Sequence, residues 1–131
     1  MSAARHRAAL LVLLATSVCL PACSAYRRDR AARDVPVKAA REALTRCFRE
    51  QHLMPCAEHE LEAMRETCAD RKRRDPTLRD QWLGDGLLVT VHQRGVVLNA
   101  RIVAPSGNDE LATESARKLE ECMEREPPRP A

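Results

Sequence analysis

The chain has 131 residues, with 22 Lys and Arg against 19 Asp and Glu, 8 Pro, 6 Cys, and a single Trp, Tyr and Phe. That length allows one domain and argues against a barrel enzyme, a doubly wound dinucleotide-binding domain or a polytopic membrane protein. The formal charge of +3 comes largely from Arg5 and Arg7 near the N-terminus, so it is no argument for nucleic acid or anionic lipid as a partner.

Residues 1–22 read as an export signal. Arg5, His6 and Arg7 form a basic start, residues 8–20 an apolar run, and no acid occurs before Asp29. The end of that run, Leu20-Pro21-Ala22-Cys23, resembles a bacterial lipobox, with Leu three before the Cys and a small residue one before. Pro21 departs from the small or β-branched residue usual at its place. The resemblance implies that Cys23 becomes the acylated N-terminus, carrying palmitate-type chains. Ser24 is compatible with outer-membrane sorting, so the implied location is the outer membrane, facing the periplasm. Two or three acyl chains make such residence stable, where one is marginal. Ordinary cleavage near Ala22 or Ala25 with release, or an uncleaved anchor, are the alternatives.

Residues 23–34 are charged, lack an apolar period and read as a tether. The domain is expected over 35–126. Pro36 suits a first helical position, and Val37, Ala40, Leu44, Cys47 and Phe48 make one apolar stripe. This helix is expected to end by Leu53, ahead of Pro55. A second helix is expected over about 57–71, with Leu61, Met64 and Cys68 on one face, acids near its start and Arg71-Lys72-Arg73-Arg74 near its end, as the helix dipole favours. Asp75-Pro76 stops it. Segment 77–85 holds Leu78, Trp82 and Leu83, with Trp82 partly packed on the sheet.

Alternation over 87–92 and the Val-, Leu- and Ile-rich stretch 96–104 predict a β-hairpin, with Gly95 at a positive-φ position of its turn. A last helix follows, capped by Asn108 or Asp109, with Ala112, Ala116, Leu119 and Met123 buried beside Leu111 and Cys122. Residues 127–131 read as a loose tail. The expected fold class is α+β: two N-terminal helices, a β-hairpin and a C-terminal helix packed on one face of a small antiparallel sheet. Two strands alone make a poor sheet. An exposed hairpin edge is therefore expected, with Thr90, His92, Arg101 and Val103 as partner-binding residues. A further strand supplied by another copy would make the chain a homo-oligomer.

Cys47, Cys56, Cys68 and Cys122 are an even set in a chain addressed to an oxidising compartment, and so read as two disulfides. Spacing alone does not choose among the three pairings. A continuous helix from 56 to 68 would hold its ends about 18 Å apart, too far for a bridge. Cys47–Cys56 with Cys68–Cys122 is therefore preferred, since Pro55 lets the chain fold back.

Cys47, His52, Cys56, His59 and Cys68 are residue types that suit Zn²⁺, but the second arm of a ligand pattern is missing. His59-Glu60 starts like a zinc-protease helix, yet Ala63 stands where the second His belongs. Ser24, Ser106 and Ser115 lie in no nucleophile elbow, and His92 projects from a strand with nothing to orient it. The run Arg71–Arg74 lacks interleaved aromatics. No catalysis, metal or cofactor is expected, and no nucleic acid.

From Asp75-Pro76-Thr77-Leu78 onward the chain resembles the C-terminal domain of the TonB and TolA family, in the motility-type variant of myxobacteria. The resemblance rests on Cys68 near a helix end, Asp75-Pro76-x-Leu78, Gly95-x-Val97-x-x-Ala100-Arg101-Ile102-Val103, Ser106-Gly107 and Cys122 on the last helix. In that group the two cysteines pair, which agrees with Cys68–Cys122. Glu126-Pro127-Pro128 stands where the family continues into an aromatic-Pro turn and a third strand. The resemblance thus implies the fold and protein partners, not force transduction. The expectation is a non-catalytic envelope lipoprotein that binds or helps assemble another periplasmic or outer-membrane protein. A purely structural envelope lipoprotein or a soluble secreted binding protein is the alternative.

Overall fold

The computed structural model describes residues 30–126. Nine segments follow in order: β1 Ala31–Pro36, α1 Arg41–Glu50, β2 Met54–Pro55, a 3-10 turn Cys56–Glu58, α2 Glu62–Arg74, β3 Leu78–Gly84, β4 Leu87–Arg94, β5 Val97–Ala104 and α3 Asp109–Glu124. The strands form one antiparallel sheet in the order β1-β5-β4-β3-β2. The signal, the lipobox with Cys23 and residues 127–131 lie outside the described residues.

This architecture overturns the expected pair of N-terminal helices ahead of a lone hairpin. Among the described residues there are three helices and five strands, and a strand comes first. Residues 31–34, read as tether, belong to β1, which lies along β5 from Ala31 opposite Ala104 to Pro36 opposite Asn99. Pro36 ends an edge strand, where a missing N–H is tolerated. The second unexpected strand is β3, joined to β4 through Asp85 and Gly86. Both have positive φ, 48° and 75°, as a two-residue type I′ hairpin turn requires.

The first helix is also shorter than its apolar stripe suggested. His52 has φ 60°. Its N–H donates to the Arg49 carbonyl, and the Leu53 N–H reaches back to the Phe48 carbonyl at 3.1 Å. This is a Schellman ending with His in the left-handed place that glycine usually takes. The reversal buries Leu53 and directs Met54–Pro55 alongside Leu83 and Trp82. Gly84 permits that approach, because a Cβ there would stand 2.7 Å from the His52 carbonyl oxygen.

Alternation divides the sheet into two faces. Leu87, Val89 and Val91 of β4 and Leu98, Ala100, Ile102 and Ala104 of β5 point to one side and are buried. There they meet Ala43, Leu44, Cys47 and Phe48 of α1 and Ala112, Ala116, Leu119, Cys122 and Met123 of α3 in one apolar cluster. Trp82 joins them, its ring centroid 5.2 Å from that of Phe48. Asn108 caps α3, its side chain accepting from the Leu111 N–H at 3.1 Å. Where α1 ends, the Ser115 hydroxyl donates to the Gln51 side chain at 2.6 Å, and that side chain donates back to the Ser115 carbonyl at 3.1 Å. Ion pairs Arg46–Glu126 and Arg125–Glu50 also join the two helices; both are exposed and contribute little.

The four cysteines among the described residues are all paired, but not as expected. Cys47 of α1 is bonded to Cys122 of α3, and Cys56 to Cys68, with Cα separations of 5.8 and 6.1 Å. The objection to Cys56–Cys68 assumed one helix between them. Instead the chain leaves the 3-10 turn at His59 in extended conformation, and α2 begins only at Glu62. The Cys68–Cys122 bridge that the TonB-like resemblance implied is therefore not formed. Loop entropy makes the wider staple the stronger one. Replacing Cys47 and Cys122 together by Ala is expected to cost about 4–5 kcal/mol, against about 3 kcal/mol for Cys56 and Cys68. Urea unfolding of the two double variants checks this, and equal or inverted losses would contradict it.

Candidate interaction surface

The face of the sheet turned away from α1 and α3 holds the expected contact residues. Thr90 and Arg101 are direct cross-strand partners, His92 stands opposite Asn99, and Val103 opposite Leu88. They do not form a hairpin edge. β4 lies between β3 and β5, and β5 between β4 and β1, so their outer backbone groups are already paired. Thr90 is moreover buried. What the four share is a face.

Register organises that face in rungs. Ala32, Val103, Leu88 and Leu83 stand in line across β1, β5, β4 and β3, and Met54 of β2 pairs with Leu83. This apolar rung spans five strands, about 19 Å at ordinary strand spacing. The next rung is Asp34, Arg101, Thr90 and Gln81, and the one after it Pro36, Asn99, His92 and Leu78. Asp34 accepts from the Asn99 amide at 3.1 Å and from the Arg101 guanidinium at 3.4 Å. A groove of about 500 Å³ runs past Asp34, Asp75, His92, Arg94, Asn99 and Arg101.

His92 is held on both sides, which corrects the expectation that nothing orients it. Its Nδ1 lies 3.1 Å from the Thr77 hydroxyl and 3.5 Å from an Asp75 oxygen, and its Nε2 lies 3.1 Å from the Thr90 hydroxyl. The Thr77 hydroxyl donates to Asp75 at 2.7 Å, so it is left to accept from Nδ1–H, and Nε2 accepts from Thr90. Hydroxyl, imidazole and carboxylate are thus arrayed in sequence. The N–H groups of β4 serve the ladders to its two neighbours, leaving no backbone donors beside Thr90 to form an oxyanion hole.

The residues weighed as metal ligands have structural roles. Cys47, Cys56 and Cys68 are in disulfides. His52 terminates α1, and His59 Nδ1 accepts from the Leu61 N–H at 3.0 Å, at the entry to α2. Among the described residues, no group of three or more His, Cys, Asp or Glu is gathered as a metal would require, and no helix is long and apolar enough to cross a membrane.

Sequence reasoning missed Asp34, Asp75, Thr77 and Asn99 as members of this surface. It also missed Gln81, which is buried, donates to the Cys68 carbonyl at 2.7 Å, and leaves its own Oε1 without a partner. An unpaired buried amide oxygen costs about 1–3 kcal/mol. No protein-family model, curated protein or solved structure matches the chain.

The Thr77 hydroxyl, then the Thr77 N–H, hold the Asp75 carboxyl below the ordinary carboxylate range, with His92 and Arg94 adding attraction. A carboxyl whose pKa is lowered by folding stabilises the fold above its unfolded value, about 4, and loses that contribution as pH falls through the folded value. The difference in Tm between the native chain and Asp75→Ala is therefore expected to be present at pH 7 and to shrink as the pH falls below about 4. A difference that stays constant across the acid range would contradict the role given to the charge.

Proposed function

We propose that the chain is a non-catalytic lipoprotein of the bacterial envelope that binds, or helps assemble, another envelope protein through the open face of its sheet. The observation that carries this reading is the face itself: an apolar rung five strands wide beside a groove with Asp34, Asp75, Arg94 and Arg101. Apolar area supplies affinity, and charges at its border select and orient a partner. Thr90, His92, Arg101 and Val103 belong to this contact, Arg101 and Val103 through their own surface and Thr90 by fixing His92. Two disulfides are compatible with an extracytoplasmic location. The basic start, apolar run and Cys23 support an acylated anchor at the outer membrane, with the domain facing the periplasm.

The TonB- and TolA-like stretch supports protein partners too, although the bridge it implied is replaced by Cys47–Cys122. A different protein fits better than a second copy added as a strand. The free edge of β1 carries Arg33, Asp34 and Pro36, residue types that blunt an edge against pairing.

Protein extracted from native membranes is expected to begin at an acylated Cys23 by intact mass. A photo-crosslinking residue at position 103 is expected to give one discrete protein adduct there, and the same residue at the exposed position 121 of α3 none. An unlipidated mass would overturn the location. Absence of an adduct at 103, or equal labelling at both positions, would overturn the binding face.

A further inference from the structure

A second site lies at the β2–β3 flank of the sheet. β2 pairs with β3 only at Leu83 and Trp82, so from Gln81 back to Leu78 the outer side of β3 has no strand beside it. α2 stands next to this stretch, fastened by the Cys56–Cys68 bridge and by the bond from Gln81 to the Cys68 carbonyl. Between them is a cleft of about 310 Å³.

Two features of the cleft point to one kind of occupant. Its apolar lining includes Pro55, Ala57, Ala69 and Trp82. Arg65, Lys72 and Arg79 are on its walls, while the one acid there, Asp80, is paired with Arg41 at 3.0 Å. Among the described residues none of the three cations is in an ion pair: Arg65 donates to the carbonyls of His59 and Glu60, and Arg79 to the Gln93 side chain. The helix dipole accounts for basic residues in the last turn of α2. It does not account for Arg65, a turn from the start of that helix, or for Arg79, which is in β3.

We propose that this cleft docks an acidic, extended segment of a partner protein. An apolar side chain of the segment rests against Trp82 and its neighbours, and flanking carboxylates meet Lys72 and Arg79. The cleft is too small for a helix, whose diameter is about 10–12 Å. An extended chain fits beside a strand that lacks a neighbour.

Trp82 is the only tryptophan, so its emission reports directly on the cleft. The probe is a capped peptide of alternating Glu and Val, titrated into the oxidised domain, with the Lys-Val counterpart and inorganic phosphate as controls. The acidic peptide is expected to shift the emission saturably and more weakly at high salt. The exposed double variant K72E/R79E, with unchanged Tm, is expected to lose about tenfold or more in affinity. Val103→Glu, on the open face, is expected to leave the shift intact, which keeps the two surfaces separately testable. No saturable shift, an equal response to phosphate alone, or undiminished binding by K72E/R79E would overturn the proposal. So would a dimer in sedimentation that K72E/R79E abolishes, since it would put a second copy in the cleft.

Discussion

The bridge between Cys47 and Cys122 is the constraint on which the rest of the molecule depends. It joins cysteines 75 residues apart in sequence, on the two helices that cover one face of the sheet. A domain of this size has little apolar area to bury and gains proportionately from a staple. With α1 and α3 fastened together over Val89, Val91, Ala100 and Ile102, the core is complete on that side. These two helices leave the opposite face uncovered.

The same economy explains the place of α2. Cys68 is the only residue of this helix to be buried, and no residue of α2 joins the main apolar cluster. It is held instead by its own short staple to the 3-10 turn and by the buried bond from Gln81. A helix held this way covers a strand flank without sealing it. The result is a domain with one covered face, one open face and a basic cleft at the side.

Much of the fold was legible where the signal is local. The hairpin of β4 and β5, the positive φ of Gly95 and the Asn108 cap on α3 follow from alternation, turn chemistry and a side-chain acceptor. What was not legible depends on distant partners. Ala31–Pro36 has neither period nor apolar weight, and becomes a strand only because β5 has an unpaired side. Asp85-Gly86 did carry a hairpin signal, but Thr77 to Leu83 lacks clean alternation. The irregular register between Leu78 and Asp80 is the physical reason. His52 ended α1 in a conformation that sequence assigns to Gly or Asn. Of the candidate surface, Thr90, His92, Arg101 and Val103 were expected at a hairpin edge, whereas β1 and β3 flank that hairpin and the four share a face instead. Asp34, Asp75 and Thr77 could not be joined to them, because β1 and the return of the chain after α2 bring them there.

The disulfide map of the oxidised domain tests this architecture most directly. Digestion without reduction, followed by mass spectrometry, is expected to release peptides linked through Cys47–Cys122 and Cys56–Cys68. Peptides linked through Cys47–Cys56 and Cys68–Cys122, or four free thiols, would contradict the arrangement of α1, α3 and the open face.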